Sequence, residues 1–459
     1  MRFIFPFFKR AVLSIFINEG ISIELIESEL KLLNTEINSI NNNINKINNN
    51  INTIIDRLFY QKYLINKKMV NIAVFGVMPP EKSGIAIYNK KTFGINDNFH
   101  VFSRFMSTDN CEITKENFKE NYNDNFFPIN FFSNAKAIFN YSKIIFVLGN
   151  SFHNIPYLDA AIKEKYKKYS YLYCHEVFFH DLLRAYFDFP IYKNVLCNAY
   201  PELIQEINNY NIESFENIKS LCYGIRAILL LTGISNVIVN NNIAKEKLLD
   251  DIKGTVFENN IRIIVLFLPI PNLKSNIYKE PNLSYINEIK IGVFGICDNK
   301  YKSTNVILNA IVILNELYNL KSKCIIAGYD VDSYVKTINS ESIKMYLVWF
   351  SNVSDKQIES LMSQVDIAVQ LRNYPQGETS AVICQLLGLN KNIIVSEKFI
   401  DSDLEEYCTV VKKFISAEEL AEKLYEIFSK KQRIIDNNKL SKLIEGMSFE
   451  KLADTILRL

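Results

Sequence analysis

Two short glycine-bearing stretches carry the residue types that hold phosphate. Ser83-Gly84-Ile85 follows the apolar run Val70–Val77 and opens a helical stretch, and Gly377-Glu378-Thr379-Ser380 precedes the apolar stretch Ala381–Leu389. A glycine at a strand-to-helix turn lets backbone approach a ligand closely, and the first helical turn offers free N–H groups to an anion. Taken singly, each stretch is equally an ordinary turn, and Glu378 is equally a carboxylate favoured near a helix N-terminus. Thr379 and Ser380 add hydroxyl groups. Lys302 and Arg372 are cations beside apolar runs, and fixed cations stabilise negative charge most where it grows in a transition state. Arg372 has a rival role as a structural ion-pair partner. His175 ends the run Ser170–Cys174, with Glu176 next to it and His180 further on. Metal chemistry has little to draw on. There are 4 His, no H-E-x-x-H pattern, and 8 Cys without a C-x-x-C pair. The scattered cysteines read as reduced, buried thiols of a cytoplasmic protein. Asp330-Val331-Asp332 follows Gly328 and reads as an ordinary loop, not as a metal–diphosphate clamp.

The elements that must position these residues are legible as apolar runs alternating with helical stretches. Val70–Val77, Ile144–Leu148, Ser170–Cys174, Val237–Val239 and Ile263–Leu268 read as buried strands. A second series follows at Lys290–Gly295, Cys324–Gly328, Tyr346–Phe350, Asp366–Leu371 and Asn392–Val395. Between them, Ser303–Tyr318 and Ser354–Ser363 are amphipathic. Strands alternating with helices predict parallel sheets with right-handed crossovers. Lys274–Asn287, with Pro281 and polar residues, reads as the linker between two α/β halves. Ligands of such sheets bind beyond the carboxyl ends of the strands.

The N-terminal region is different. Apolar residues fall at Ile23, Ile26, Leu30, Leu33, Ile37, Ile40, Ile44, Ile47, Ile51, Ile54 and Leu58, in unbroken steps of three and four. That is a heptad repeat, and its Ile-rich layers favour a trimer or tetramer over a dimer. Before it, Phe3–Phe8 and Ala11–Ile17 flank Lys9 and Arg10; each run is far short of the ~20 residues that span a bilayer. Aromatics beside cations suit peripheral contact with a membrane interface. No small-x-small cleavage site follows, which argues against a signal peptide. Over the whole chain of 459 residues, 52 Lys+Arg against 50 Asp+Glu leave a formal charge of +2. That balance excludes a broad electrostatic sink for nucleic acid or bulk acidic lipid.

Five fragments stand in order: Pro79–Tyr88, His175–Asp181, Gly295–Lys302, Leu371–Ser380 and Lys391–Ser396. Together they resemble the family 4 glycosyltransferases of the GT-B fold, over roughly residues 69–430. The resemblance implies an α/β protein of two facing Rossmann-like parallel-sheet domains, here preceded by an α-helical coiled coil. The expected organisation is an apolar segment 1–20, an oligomerising coiled coil 21–62 and an acceptor domain 69–275. A nucleotide-sugar domain 286–430 follows, then C-terminal helices 431–459 placed to pack back on the first domain. The implied activity is a retaining, metal-independent hexosyltransferase with no cofactor. It would move sugar from a nucleotide donor to a saccharide or lipid-linked saccharide, in surface polysaccharide or glycan biosynthesis at the cytoplasmic membrane face.

Residue roles follow from the same resemblance. The loop Gly377, Thr379 and Ser380 would hold donor sugar and diphosphate, with Ser83 and Gly84 facing it and Glu378 accepting from sugar hydroxyls. Lys302 matches the family's K-G lysine, although Ser303 replaces the glycine; with Arg372 it would hold the diphosphate. His175 joins Glu378 and Lys302 as the expected catalytic residues, and Glu176 and His180 would line the acceptor side. Gln385 stands where many relatives carry a second Glu for ribose hydroxyls, and a neutral acceptor binds a diol more weakly. Ile296 stands where the family often has Arg; Lys300 or Arg372 is available to compensate. Ile296 and Gln385 lend weight to a rival reading, a non-catalytic scaffold with a degenerate body. A sugar-nucleotide epimerase of related fold is a second rival, which the S-G-I-A and G-E-T-S pair disfavours.

Overall fold

Strands buried on both faces must be apolar throughout, because a parallel sheet is covered by helices on each side. Ile72–Phe75, Lys143–Leu148 and Ser170–Cys174 meet that condition, with every residue buried except Lys143. They form the middle of one of two sheets in the computed structural model of the chain. The structure describes residues 31–32, 35–39, 72–79, 81, 83–94, 96–104, 125–138, 141–273, 281–284, 286–429 and 437–459. The N-terminal apolar segment and nearly all of the heptad stretch lie outside them. Within that stretch, residues 31–32 and 35–39 are helical.

Among the described residues the first sheet has seven parallel strands: β1 (Ile72–Phe75), β2 (Phe99–Ser103), β3 (Phe126–Pro128), β4 (Lys143–Leu148), β5 (Ser170–Cys174), β6 (Asn236–Val239) and β7 (Arg262–Val265). Their order is β3-β2-β1-β4-β5-β6-β7. The second has six: β8 (Ile289–Phe294), β9 (Ser322–Gly328), β10 (Leu347–Ser351), β11 (Ile367–Gln370), β12 (Asn392–Ser396) and β13 (Thr409–Val411). Their order is β10-β9-β8-β11-β12-β13. All registered pairs are parallel, for example Val74 with Ile145 and Val369 with Ile394. These are two Rossmann-like domains. The order reverses between β1 and β4 in one sheet and between β8 and β11 in the other. Such a switch point opens a crevice beyond the strand ends.

Three strands were not foreseen from the sequence: β2, which carries His100 and Ser103, and the three-residue strands β3 and β13. The expected linker is not a free connection along its whole length. Leu283 and Ile286 are buried within the apolar core of the second domain. The chain then returns to the first domain at its end. The helix Phe449–Arg458 places Leu452, Ala453 and Ile456 in one cluster with Ile72, Val74 and Ile145. Lys143 Nζ donates to Leu457 O at 2.8 Å, and Ile270 N donates to Met447 O at 2.8 Å. No helix among the described residues is long and apolar enough to cross a membrane.

Candidate functional site

The loops after β1, β5, β8 and β11 converge on one cleft of about 570 Å³. Ser83, Gly84, His175, Glu176, Arg372, Glu378 and Thr379 line it, with Ile296, Tyr301, Tyr374 and Gln376. From the first domain, the helix Gly84–Phe93 starts at the cleft, and Ser83 makes no side-chain capping bond among the described residues. The N–H groups of Gly84 and Ile85 therefore keep their capacity for an anion, while Ala86 N donates to Ser83 O at 3.1 Å. The helix sits close to the sheet because residue 149 is glycine. A Cβ there would lie 2.4 Å from Ile85 Cδ1.

His175 follows β5 at the cleft floor. Its Nδ1 accepts from Asn240 Nδ2 at 2.8 Å, which leaves the ring proton on Nε2. That Nε2 is buried and has no hydrogen-bond partner among the described residues. Burial pulls the imidazole down to about 4, so it is neutral near pH 7. A neutral imidazole with one fixed acceptor bond presents its Nε2–H as a donor. Beside it, Glu176 Oε1 accepts from Asn150 N at 2.7 Å. Burial pushes this carboxyl up to about 8, with Glu378 and Asp181 adding and the Asn150 N–H and Arg372 opposing. At neutral pH Glu176 is largely protonated.

The second domain brings the cations. The segment Gly295–Ser303 is folded around Asp298, whose Oδ1 accepts from Tyr301 N at 2.5 Å and Lys302 N at 3.3 Å. Asn373 ties this segment to the end of β11. It accepts from Ser303 Oγ at 2.8 Å, and its Nδ2 donates to Lys300 O at 2.8 Å. Lys302 and Arg372 are thereby held near one another; Arg372 lines the cleft, and Lys302 is outside its lining. Burial brings Lys302 down to about 8, with the Arg372 charge adding and Asp298 among the groups opposing. Arg372 N donates to Ser396 Oγ at 2.9 Å, and its guanidinium lies 4.9 Å from the centre of the Phe399 ring. Its Nε is 2.9 Å from Glu378 Oε1, a charge contact without hydrogen-bond alignment. The other oxygen of Glu378 accepts from Gln376 N at 2.6 Å.

The 377–380 loop is clamped to the first domain by Asn241. Its Nδ2 donates to Gly377 O at 3.0 Å and Thr379 Oγ1 at 2.7 Å, while its Oδ1 caps the helix Asn242–Ile252 through Ala244 N at 2.6 Å. Gly377 has φ 86°, and a Cβ there would lie 3.1 Å from Ala244 Cα, so only glycine fits this approach. Neither Asn240 nor Asn241 was singled out from the sequence. Their one legible signal was a pair of Asn between a strand and a helix, where an N-cap is common.

Several expected site residues lie elsewhere. His180 is fully buried: Nδ1 meets Tyr192 Oη at 2.7 Å and Nε2 meets Cys222 O at 2.8 Å. With both ring nitrogens engaged, it braces the first domain and does not face an acceptor. Ser380 caps the helix Ala381–Gly388 by accepting from Ile383 N and is outside the cleft lining. Gln385 is buried along that helix, outside the cleft lining. Lys300 is on the exposed rim, 3.0 Å from Glu216 Oε2, so it does not replace the missing arginine. Ile296 itself faces the cleft and is exposed. Among the described residues no group of three or more His, Cys, Asp or Glu is placed to hold a metal ion.

No family model and no curated protein matches the sequence. Solved structures do. The chain is similar to the E. coli trehalose-6-phosphate protein bound with UDP-2-fluoro glucose, at 10% identity and TM-score 0.52, over 84% of this chain and 98% of that one. It is similar to the UDP-forming α,α-trehalose-phosphate synthase from Burkholderia xenovorans in complex with glucose-6-phosphate, at 10% identity and TM-score 0.51, over 84% and 98%. Sucrose-phosphate synthase from Thermosynechococcus elongatus aligns at 12% identity and TM-score 0.50, over 84% and 97%. At such identity the likeness is one of fold, and the fold is GT-B.

Proposed function

We propose that the chain is a retaining glycosyltransferase. It transfers a hexosyl group from a nucleotide sugar to a saccharide or lipid-linked saccharide, in surface polysaccharide or glycan assembly, without a metal. The observation that carries this reading is Arg372 lining the cleft that the uncapped start of the helix Gly84–Phe93 also lines, with the partly buried Lys302 close enough for the two charges to repel. Two fixed cations and free helix N–H groups suit a diphosphate leaving group, whose charge grows as the glycosidic bond breaks. The bond between the sugar's anomeric carbon and the diphosphate oxygen breaks, and its electron pair stays on that oxygen. The acceptor hydroxyl bonds to the same face of the carbon and gives its proton to the departing diphosphate, so no protein nucleophile is needed. In this reading His175 Nε2–H and Glu378 fix sugar hydroxyls and orient the reacting groups. The structures similar in fold include proteins solved with UDP-2-fluoro glucose and with glucose-6-phosphate, which supports a sugar-nucleotide and sugar-acceptor pair. The heptads of 21–62 are taken to join three or four such bodies into a stalk, and the aromatic start of the chain to touch the inner membrane face.

The test is release of nucleoside diphosphate from a panel of UDP- and GDP-sugars by the purified full chain in excess EDTA. Slow hydrolysis of at least one donor is expected to persist under chelation. Activity abolished by EDTA and restored by magnesium or manganese would overturn the metal-free mechanism. No turnover of any donor, with no rise in melting temperature on adding UDP or GDP, would favour the scaffold instead.

A further inference from the structure

At the rim of the cleft the second domain presents two aromatic rings to solvent. Tyr374 follows β11 and lines the cleft, and Phe414 follows β13. Their rings meet edge to face at 5.5 Å between centroids. They remain 47% and 55% exposed. Exposing such rings forgoes the free energy of burying them. Phe414 is moreover held by a left-handed backbone, φ 59°, which bulky residues rarely adopt. Lys398, which follows β12, has φ 58°. Strained backbone of this kind concentrates at ligand clamps. The loops after three adjacent strands thus turn into one rim.

That rim is cationic. Lys413 Nζ lies 5.2 Å from the centre of the Tyr374 ring and 5.0 Å from that of Phe414. From the first domain, the stem of Lys247 packs beside the 377–380 loop, with Cδ 3.4 Å from where a Cβ on Gly377 would stand. The charge of Lys247 is disfavoured first by burial and then by Lys413 and Lys398, while Glu378 and Asp250 favour it. A third acidic neighbour, Glu397, has an oxygen accepting from Lys413 N at 3.1 Å. Lys413 stands over the exposed rings and, with Lys398, is near enough to Lys247 for the like charges to repel, on a rim continuous with the cleft through Tyr374.

We propose that this rim is a subsite for an acidic acceptor saccharide. A sugar ring packs its apolar face on one of the two crossed rings, Tyr374 or Phe414, with its edge against the other, and a carboxylate or phosphate on it or on the next residue meets Lys413 and the neighbouring Lys247 and Lys398. This rests on the glycosyltransferase reading and deepens it by naming the acceptor's charge. The apolar face of a pyranose ring covers the aromatic area, and the cation already poised over both rings places an anionic substituent beside a stacked sugar.

The test uses the full chain and calorimetric titration with a glucuronic-acid-containing tetrasaccharide and its carboxyl-reduced, neutral form. The acidic form is expected to bind about tenfold more tightly at low salt, and 0.5 M salt should remove about that much of the preference. Phe414→Ala should weaken both forms by about tenfold, whereas Lys398→Gln with Lys413→Gln should weaken only the acidic one. Donor hydrolysis should be unchanged in these variants. Equal binding of the two saccharides, or variants that bind as the parent does, would overturn the proposal. So would binding to vesicles of anionic phospholipid without binding to the saccharide. If no donor is hydrolysed yet the acidic saccharide binds as described, the glycosyltransferase reading fails and the rim stands as an acidic-glycan site.

Discussion

Replacing Lys302 by alanine is expected to slow sugar transfer, and donor hydrolysis, by at least ~10²-fold, the scale for removing one preorganised charge-stabilising group. The lysine is held through its backbone: Asp298 Oδ1 accepts from its N–H, and Asn373 braces the segment around it. Burial and the neighbouring Arg372 charge bring its pKa down to about 8. The sign of the pH dependence follows. Below pH 8 the free protein carries the cation, and as pH rises through about 8 the cation is lost. For the unliganded chain kcat/KM should therefore fall above pH 8. An anionic donor favours the charged form, so the fall in kcat at saturating donor should move to higher pH. Lys302→Arg keeps its charge throughout this range and should flatten the alkaline fall even where its rate is below that of the parent. Rates for Lys302→Ala within a few-fold of the parent on every active donor would remove Lys302 from the machinery.

Glu378→Gln should also lower turnover by about 10²-fold, with little change in melting temperature. The carboxylate has two duties. Oε1 lies 2.9 Å from Arg372 Nε, and Oε2 accepts from Gln376 N at 2.6 Å. An amide of the same shape retains the second contact but leaves the Arg372 cation unbalanced. It also withdraws a negative charge that helps keep Glu176 protonated, so the Glu176 carboxyl should titrate lower in the variant. If Glu378 fixes sugar hydroxyls in the transition state, kcat and kcat/KM fall together. A rise in KM alone would assign it to ground-state binding. A melting temperature several degrees lower, with normal turnover of the folded fraction, would make it the structural partner of Arg372.

The sequence by itself determined the paired α/β architecture. Strands buried on both faces, such as Ile144–Leu148 and Asn392–Val395, have no polar face to offer and read as continuous apolar runs. It also determined which loops could hold chemistry, because the carboxyl ends of parallel strands gather wherever strand order reverses, and residues directly after β1, β5, β8 and β11 meet there. The shorter strands were illegible because little of their own sequence fixes them. β3 and β13 are three residues each and form by pairing with longer neighbours. Only tertiary structure decided the protonation and partners of the site. Asn240 reaches His175 across 65 residues, and Asn241 reaches Gly377 across 136. No local pattern encodes such contacts. The two histidines of one fragment diverged for the same reason. His175 stands at a strand end with an unpartnered nitrogen, while His180 begins a helix whose packing delivers Tyr192 and Cys222 to both of its nitrogens. Burial then set the charges, lowering Lys302 and raising Glu176 toward the same pH, which residue type alone would have placed far apart.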